Sequence, residues 1–138
     1  MRILLPSLLF IAACTPTARD LERQADAEAG ARAALDRELA GLVPGRTQAC
    51  VSQTELRGGL KSFGDTLVYS TAGSTKYVNR TSGGCERVGR DAVLVTRTSS
   101  SQLCRGDIGT TIDQSSHFYA GSCGFGDFVR YERPPRGS

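Results

Sequence analysis

The sequence predicts a mainly β fold: a small antiparallel sheet or barrel-like domain with two disulfides, preceded by one N-terminal helix. Three observations predict it. Short runs of β-branched and aromatic residues recur after residue 44, separated by Gly- and Ser-containing turns. One stretch before them is built from Ala, Leu, Glu and Arg, which are strong helix formers. Four cysteines, Cys50, Cys85, Cys104 and Cys123, are spread through the β part. The chain divides into an apolar leader over 1–13, a tether and helical spacer over 14–43, a β domain over 44–133 and a loose tail over 134–138.

The first thirteen residues carry one charge, Arg2, followed by an apolar run broken by Pro6 and Ser7. The run is too short to span a bilayer, which takes about 20 helical residues. It suits the core of a secretory signal. The four residues Ile11-Ala12-Ala13-Cys14 resemble the lipobox of bacterial lipoproteins. The resemblance implies that Cys14 receives a diacylglyceryl group on its thiol, becomes the first mature residue, and is acylated on its new amine. Several acyl chains of the palmitate type give stable anchoring, whereas one chain binds reversibly. Thr15, where an inner-membrane retention signal has aspartate, points to the periplasmic face of the outer membrane.

Residues 17–41 read as a helix. Thr17 is placed to cap the first amides and Asp20 to complete a capping box, while Gly41 and Pro44 are stop signals. Leu35, Leu39 and Leu42 share a face, but the first half offers mainly alanine, so the helix is expected to be a spacer, or to dock only by its last turns. The heptad is not sustained as a coiled coil requires. Residues 43–46 read as a linker, followed by a first strand near 48–52. Residues 65–70 and 75–80 read as a hairpin around the turn 71–74. Residues 92–97 are nearly all apolar at their centre and are expected in the middle of the sheet. Shorter strands are expected at 108–113, 117–120 and 127–132.

An even set of four cysteines in an exported chain reads as two disulfides with three alternative pairings. Cys50–Cys85 with Cys104–Cys123 is favoured, because each pair encloses a run of strands. A zinc site is disfavoured, since its ligands come in close pairs and the nearest of these cysteines are nineteen positions apart. No cofactor or metal is expected.

The stretch 47–131 resembles an uncharacterised alphaproteobacterial family of small exported proteins, a domain of unknown function. The resemblance rests on Cys50, GDTLVYSTAG at 64–73, YVNR at 77–80, Cys85, QLCRGD at 102–107 and SCGFGDF at 122–128. Glu86-Arg87 stand where the family tends to have a proline after the cysteine. The resemblance implies a compact disulfide-bearing β domain and no assigned activity.

Candidate chemistry is sparse. His117, the single histidine, sits near Asp113, Ser115 and Ser116, which suggests a small envelope hydrolase as the alternative to a non-enzymatic module. A triad must converge in space with an oxyanion hole, and adjacency does not supply that; the segment reads more simply as a polar turn. The glycine-rich 121–126 lacks phosphate-loop spacing and reads as backbone passing closely around Cys123. Arg105-Gly106-Asp107 reads as a turn, with Asp107 satisfying its amides. The aromatics are expected in the core, with Tyr119 and Tyr131 as the first candidates for exposure.

Residues 15–43 carry four arginines and six acids, and residues 44–138 carry twelve basic residues and eight acids. The mild basicity suits an ordinary surface or an anionic cell-wall partner; no basic stripe with interleaved aromatics suggests nucleic acid. The expectation is a membrane-anchored periplasmic lipoprotein that binds or braces an envelope component, alone or as a subunit of a larger complex.

Overall fold

The computed structural model of the protein describes residues 15–137. The apolar leader and Cys14 lie outside the described residues. Helix α1 spans Ala18–Glu38. Its start follows the expected capping box: the Thr17 hydroxyl accepts from the Asp20 N–H at 3.3 Å, and the Asp20 carboxylate accepts from the Thr17 N–H at 3.2 Å. Gly41, with φ +78°, provides the left-handed turn that ends the segment. No residue of α1 is buried. The helix is held at its last turn, where Lys61 Nζ donates to Glu38 Oε2 at 2.9 Å and Lys76 Nζ donates to both the Glu38 carbonyl and its carboxylate.

Nine strands follow: β1 Val43–Gln48, β2 Cys50–Ser52, β3 Gly59–Phe63, β4 Thr66–Ser70, β5 Lys76–Thr81, β6 Ala92–Thr96, β7 Gln102–Cys104, β8 Ile108–Asp113 and β9 Tyr119–Glu132. Seven form one curled antiparallel sheet in the order β3-β4-β5-β9-β8-β6, with β1 also on β9. β2 and β7 form a separate two-stranded ribbon. The expected hairpin is present as β4–β5, with Tyr69 opposite Tyr77 and Val68 opposite Val78. Thr71 closes its loop by donating from its hydroxyl to the Thr75 carbonyl at 2.9 Å.

Strand β9 organises the sheet. Its first half pairs with β8, its second half pairs with β1 on the same edge, and its opposite edge pairs with β5. The two short strands expected at 117–120 and 127–132 are therefore parts of one 14-residue strand, with the glycine-rich segment inside it. Gly121 and Gly84 lie against each other's segments: a Cβ on Gly84 would collide with the Ser122 carbonyl, and one on Gly121 with the Gly84 carbonyl. That close passage lies beside Cys85 and Cys123, as expected from the glycines.

Three expectations need correction. Residues 43–46 are not a linker but the start of β1, where an edge position tolerates Pro44 and a bulge lies between Pro44 and Thr47. β3 was not foreseen; its Gly-Leu-Lys-Ser-Phe sequence has weak strand propensity, and it forms by pairing along the whole of β4. β6 is at the edge of the sheet, not its centre. Among the described residues no second layer covers its outer face, and Val93 and Val95 are 45% and 43% exposed.

The core gathers on the concave face. Leu67, Tyr69, Tyr77, Phe125 and Phe128 come from β4, β5 and β9; Val51 and Leu103 close it from the β2–β7 ribbon, and Val88 from the loop before β6. Phe128 lies 6.2 Å from the Tyr69 ring and 6.4 Å from the Phe125 ring, centroid to centroid. Buried Asn79 faces the same core. Its amide donates to the Gly126 carbonyl at 2.8 Å and the Asp127 carbonyl at 3.3 Å, and its oxygen accepts from the Gly126 N–H at 3.2 Å. These bonds span the register shift in the β5–β9 pairing between Asn79 and Thr81.

Candidate functional site

The two disulfides are present, but their partners differ from the favoured pairing. Cys50 bonds Cys104 and Cys85 bonds Cys123; Cys50–Cys85 and Cys104–Cys123 are not formed. The reason is register. β2 and β7 pair antiparallel with Cys50 directly opposite Cys104, their Cα atoms 4.0 Å apart. Cys123 on β9 faces the loop that follows β5, where Cys85 lies with its Cα 5.7 Å away. Enclosing a run of strands is a weaker constraint than facing a partner across a ladder. Cys85 and Cys123 are both buried in the core cluster.

A polar mouth opens at the end of the β4–β5 hairpin. It is a cavity of about 360 Å³ lined by Glu55, Tyr77 and Arg130 together with Thr54, Thr71 and Thr75. Tyr77 and Arg130 are cross-strand partners on β5 and β9, so both project to the same face. Glu55, on the turn after β2, accepts a 2.6 Å hydrogen bond from the Tyr77 hydroxyl. Burial raises the Tyr77 phenol above its usual range, and the Glu55 carboxylate adds to the effect. Arg130 Nε is buried and lies 3.1 Å from Glu132 Oε2 without the alignment of a hydrogen bond. The arrangement sets Arg130, paired with Glu132, the Glu55 carboxylate and several hydroxyls around a small opening, which suits binding of a polar group. Sequence reading assigned Tyr77 to the core and missed Glu55 and Arg130. They are 75 positions apart and meet only through the fold.

A larger groove, about 900 Å³, runs between α1 and the β3–β4 hairpin. Its lining combines apolar Ala27, Ala31, Leu35 and Phe63 with both arginines and acids.

His117 lines neither opening. It is exposed, with a left-handed backbone at φ +60°, and its N–H donates to the Asp113 carbonyl at 2.9 Å. The nearby hydroxyls are committed elsewhere: Ser115 and Ser116 both donate to Asp113 Oδ1, at 2.6 and 3.1 Å. The Ser115 hydroxyl, the Ser116 N–H and Arg87 hold the Asp113 carboxyl well below the usual carboxylate range. Asp113 thus ties a polar turn between β8 and β9, and also anchors Arg87, whose guanidinium reaches Asp91 as well.

Asp107 accepts from the Cys104 N–H at 2.8 Å, as expected of a turn carboxylate, and Arg105 pairs with Asp127 at 2.9 Å. Tyr119 is 66% exposed, whereas Tyr131 is half-buried. No group of three or more His, Cys, Asp or Glu side chains placed to hold a metal ion occurs among the described residues. No family model matches the chain, and neither a curated protein nor a solved structure matches it.

Proposed function

We propose that the protein is an exported lipoprotein, anchored by fatty acyl chains on Cys14 to the periplasmic face of the outer membrane, whose disulfide-stapled β domain is a binding or structural module of the envelope and not an enzyme. One observation carries the reading. All four cysteines of the β domain are used in two internal disulfides, which leaves Cys14, at the end of the Ile11-Ala12-Ala13 run, as the remaining thiol. Paired cysteines suit an oxidising compartment, and an acylated thiol suits the lipobox. The kinship of residues 47–131 with the small exported alphaproteobacterial proteins is part of the same proposal.

Within this reading the mouth around Arg130 is the contact point for an anionic group of a cell-wall polymer or envelope protein. An anionic group would have to exchange with Glu132 for the Arg130 guanidinium, which favours a bidentate carboxylate or phosphate. The anchor is tested by mass spectrometry of the membrane-extracted protein. An acylated Cys14 at the mature amino terminus is the expected result, and Cys14→Ala should move the protein out of the membrane fraction. A Cys14→Ala protein still as firmly membrane-bound, or an unmodified Cys14, overturns the reading.

A further inference from the structure

The most apolar strand in the sequence lies on an open edge of the sheet. Along β6 and its two flanking residues, the outward positions are Asp91, Val93, Val95 and Arg97, and all four are exposed. Behind them, Val93 faces Ile112 of β8, which in turn faces Tyr119 of β9, so an apolar band crosses the outer face of three strands. A band of this kind marks an interaction surface, and an uncovered strand edge offers backbone groups for pairing.

The backbone shows how much of the edge is open. Asp91 accepts from the Gln114 N–H at 2.9 Å, so Asp91 faces β8. By alternation Val93 and Val95 also bond toward β8, and Ala92, Leu94 and Thr96 turn their polar groups away. Those of Ala92 are taken: its N–H donates to the Arg87 carbonyl and its carbonyl accepts from the Gly89 N–H, both at 3.3 Å. The 87–89 turn therefore plugs one end of the edge. Leu94 and Thr96 have no backbone partner on that side among the described residues.

We propose that this edge pairs with the same edge of a second copy of the chain, in an antiparallel two-fold register centred on Val95. This is the one antiparallel register that uses both open residues of each copy: Leu94 of one pairs with Thr96 of the other, twice. The plug at 87–89 stops the strand from sliding further. The charges agree with the register. Along the outer face β6 runs from acid through two valines to base, and antiparallel pairing turns each end toward its complement. Val95 meets Val95 across the axis, and Arg97 falls diagonally beside Asp91, where it would join the pair Asp91 already makes with Arg87 of its own copy. Arg97 has no ion pair among the described residues, and the symmetric interface is of the isologous type.

The test uses the mature acylated protein in detergent micelles, studied by sedimentation equilibrium and by crosslinking. A dimer is expected. Val95→Lys sets two like charges face to face at the axis and should weaken association by roughly tenfold or more. Thr96→Pro removes an edge N–H at a position where a strand tolerates proline, and should do the same while circular dichroism and thermal unfolding stay unchanged. Val95→Cys should form a covalent dimer on oxidation, with Ser116→Cys, on the turn between β8 and β9, remaining monomeric. A wild-type protein that is monomeric at every concentration, or a dimer untouched by Thr96→Pro, overturns the proposal. Monomeric protein whose Val93–Tyr119 face binds phospholipid vesicles also overturns it, and assigns the face to a membrane.

Discussion

Asn79 shows how one side chain can hold a sheet in shape. It is fully buried and polar, a combination that costs stability unless every polar atom finds a partner. Here the side chain replaces the ladder bonds that the shift in β9 leaves open, by bridging Gly126 and Asp127. Asn79→Ala would leave those half-buried backbone groups without this partner. It should lower stability by about 3 kcal/mol, the scale of one or two unsatisfied buried groups, as read from urea unfolding. A loss below about 0.5 kcal/mol, the scale of an ordinary surface substitution, would show that water replaces the amide. Nothing in the sequence around YVNR distinguishes this asparagine from a turn residue. Its role depends on the bulge opposite, which is set by residues almost fifty positions later. Thr17 and Asp20 are the contrary case: their partners lie three residues apart, so the capping box is readable directly.

No residue of helix α1 is fully buried; Ala31, Ala34 and Leu35 are half-buried, and the last turn is tied down by charge. The Lys61 and Lys76 ammonium groups hold the Glu38 carboxyl below its ordinary value of 4.5. A carboxyl lowered on folding contributes stability above the unfolded value and loses it as pH falls through the folded one. Attachment of the last turn should therefore weaken progressively as pH drops below 4.5, with the Lys76 bond to the Glu38 carbonyl remaining, while the β domain stays folded. Amide exchange resolved by segment checks this: α1 should lose protection before β4, β5 and β9. Equal protection of α1 at pH 7 and in acid would mean that packing, not Glu38, attaches it. Local pattern made the helix legible, with docking by its last turns as one of two readings, because alanines at 27, 31 and 34 leave little apolar surface. β6 misled for a related reason. An apolar run reports that a strand is extended and cohesive, but not whether a second layer covers it.

For the molecule as a whole, the disulfides join parts that are far apart in the chain. Cys50–Cys104 spans 54 residues and ties the β2–β7 ribbon over the core, while Cys85–Cys123 spans 38 residues and fastens the loop after β5 to β9. Loops of these lengths correspond to about 4 kcal/mol per bridge on the chain-entropy account. The double replacement Cys50→Ser with Cys104→Ser should therefore lower stability by about 4 kcal/mol and raise exchange first in β2 and β7. Peptide mapping without reduction should recover 50–104 and 85–123 linked pairs; a 50–85 pair would contradict the register of β2 with β7.

What could be read from order along the chain was every feature whose cause is local: the helix and its cap, the β4–β5 hairpin, the turn carboxylates, and the even set of cysteines. Those follow from propensity and from bonds between near neighbours. The partners of the cysteines, the merging of two strands into β9, the exposed position of β6 and the meeting of Glu55, Tyr77 and Arg130 came from the folded chain. Each depends on which distant strands lie side by side, and that choice minimises the exposure of the whole apolar surface at once, so no single segment carries a record of it.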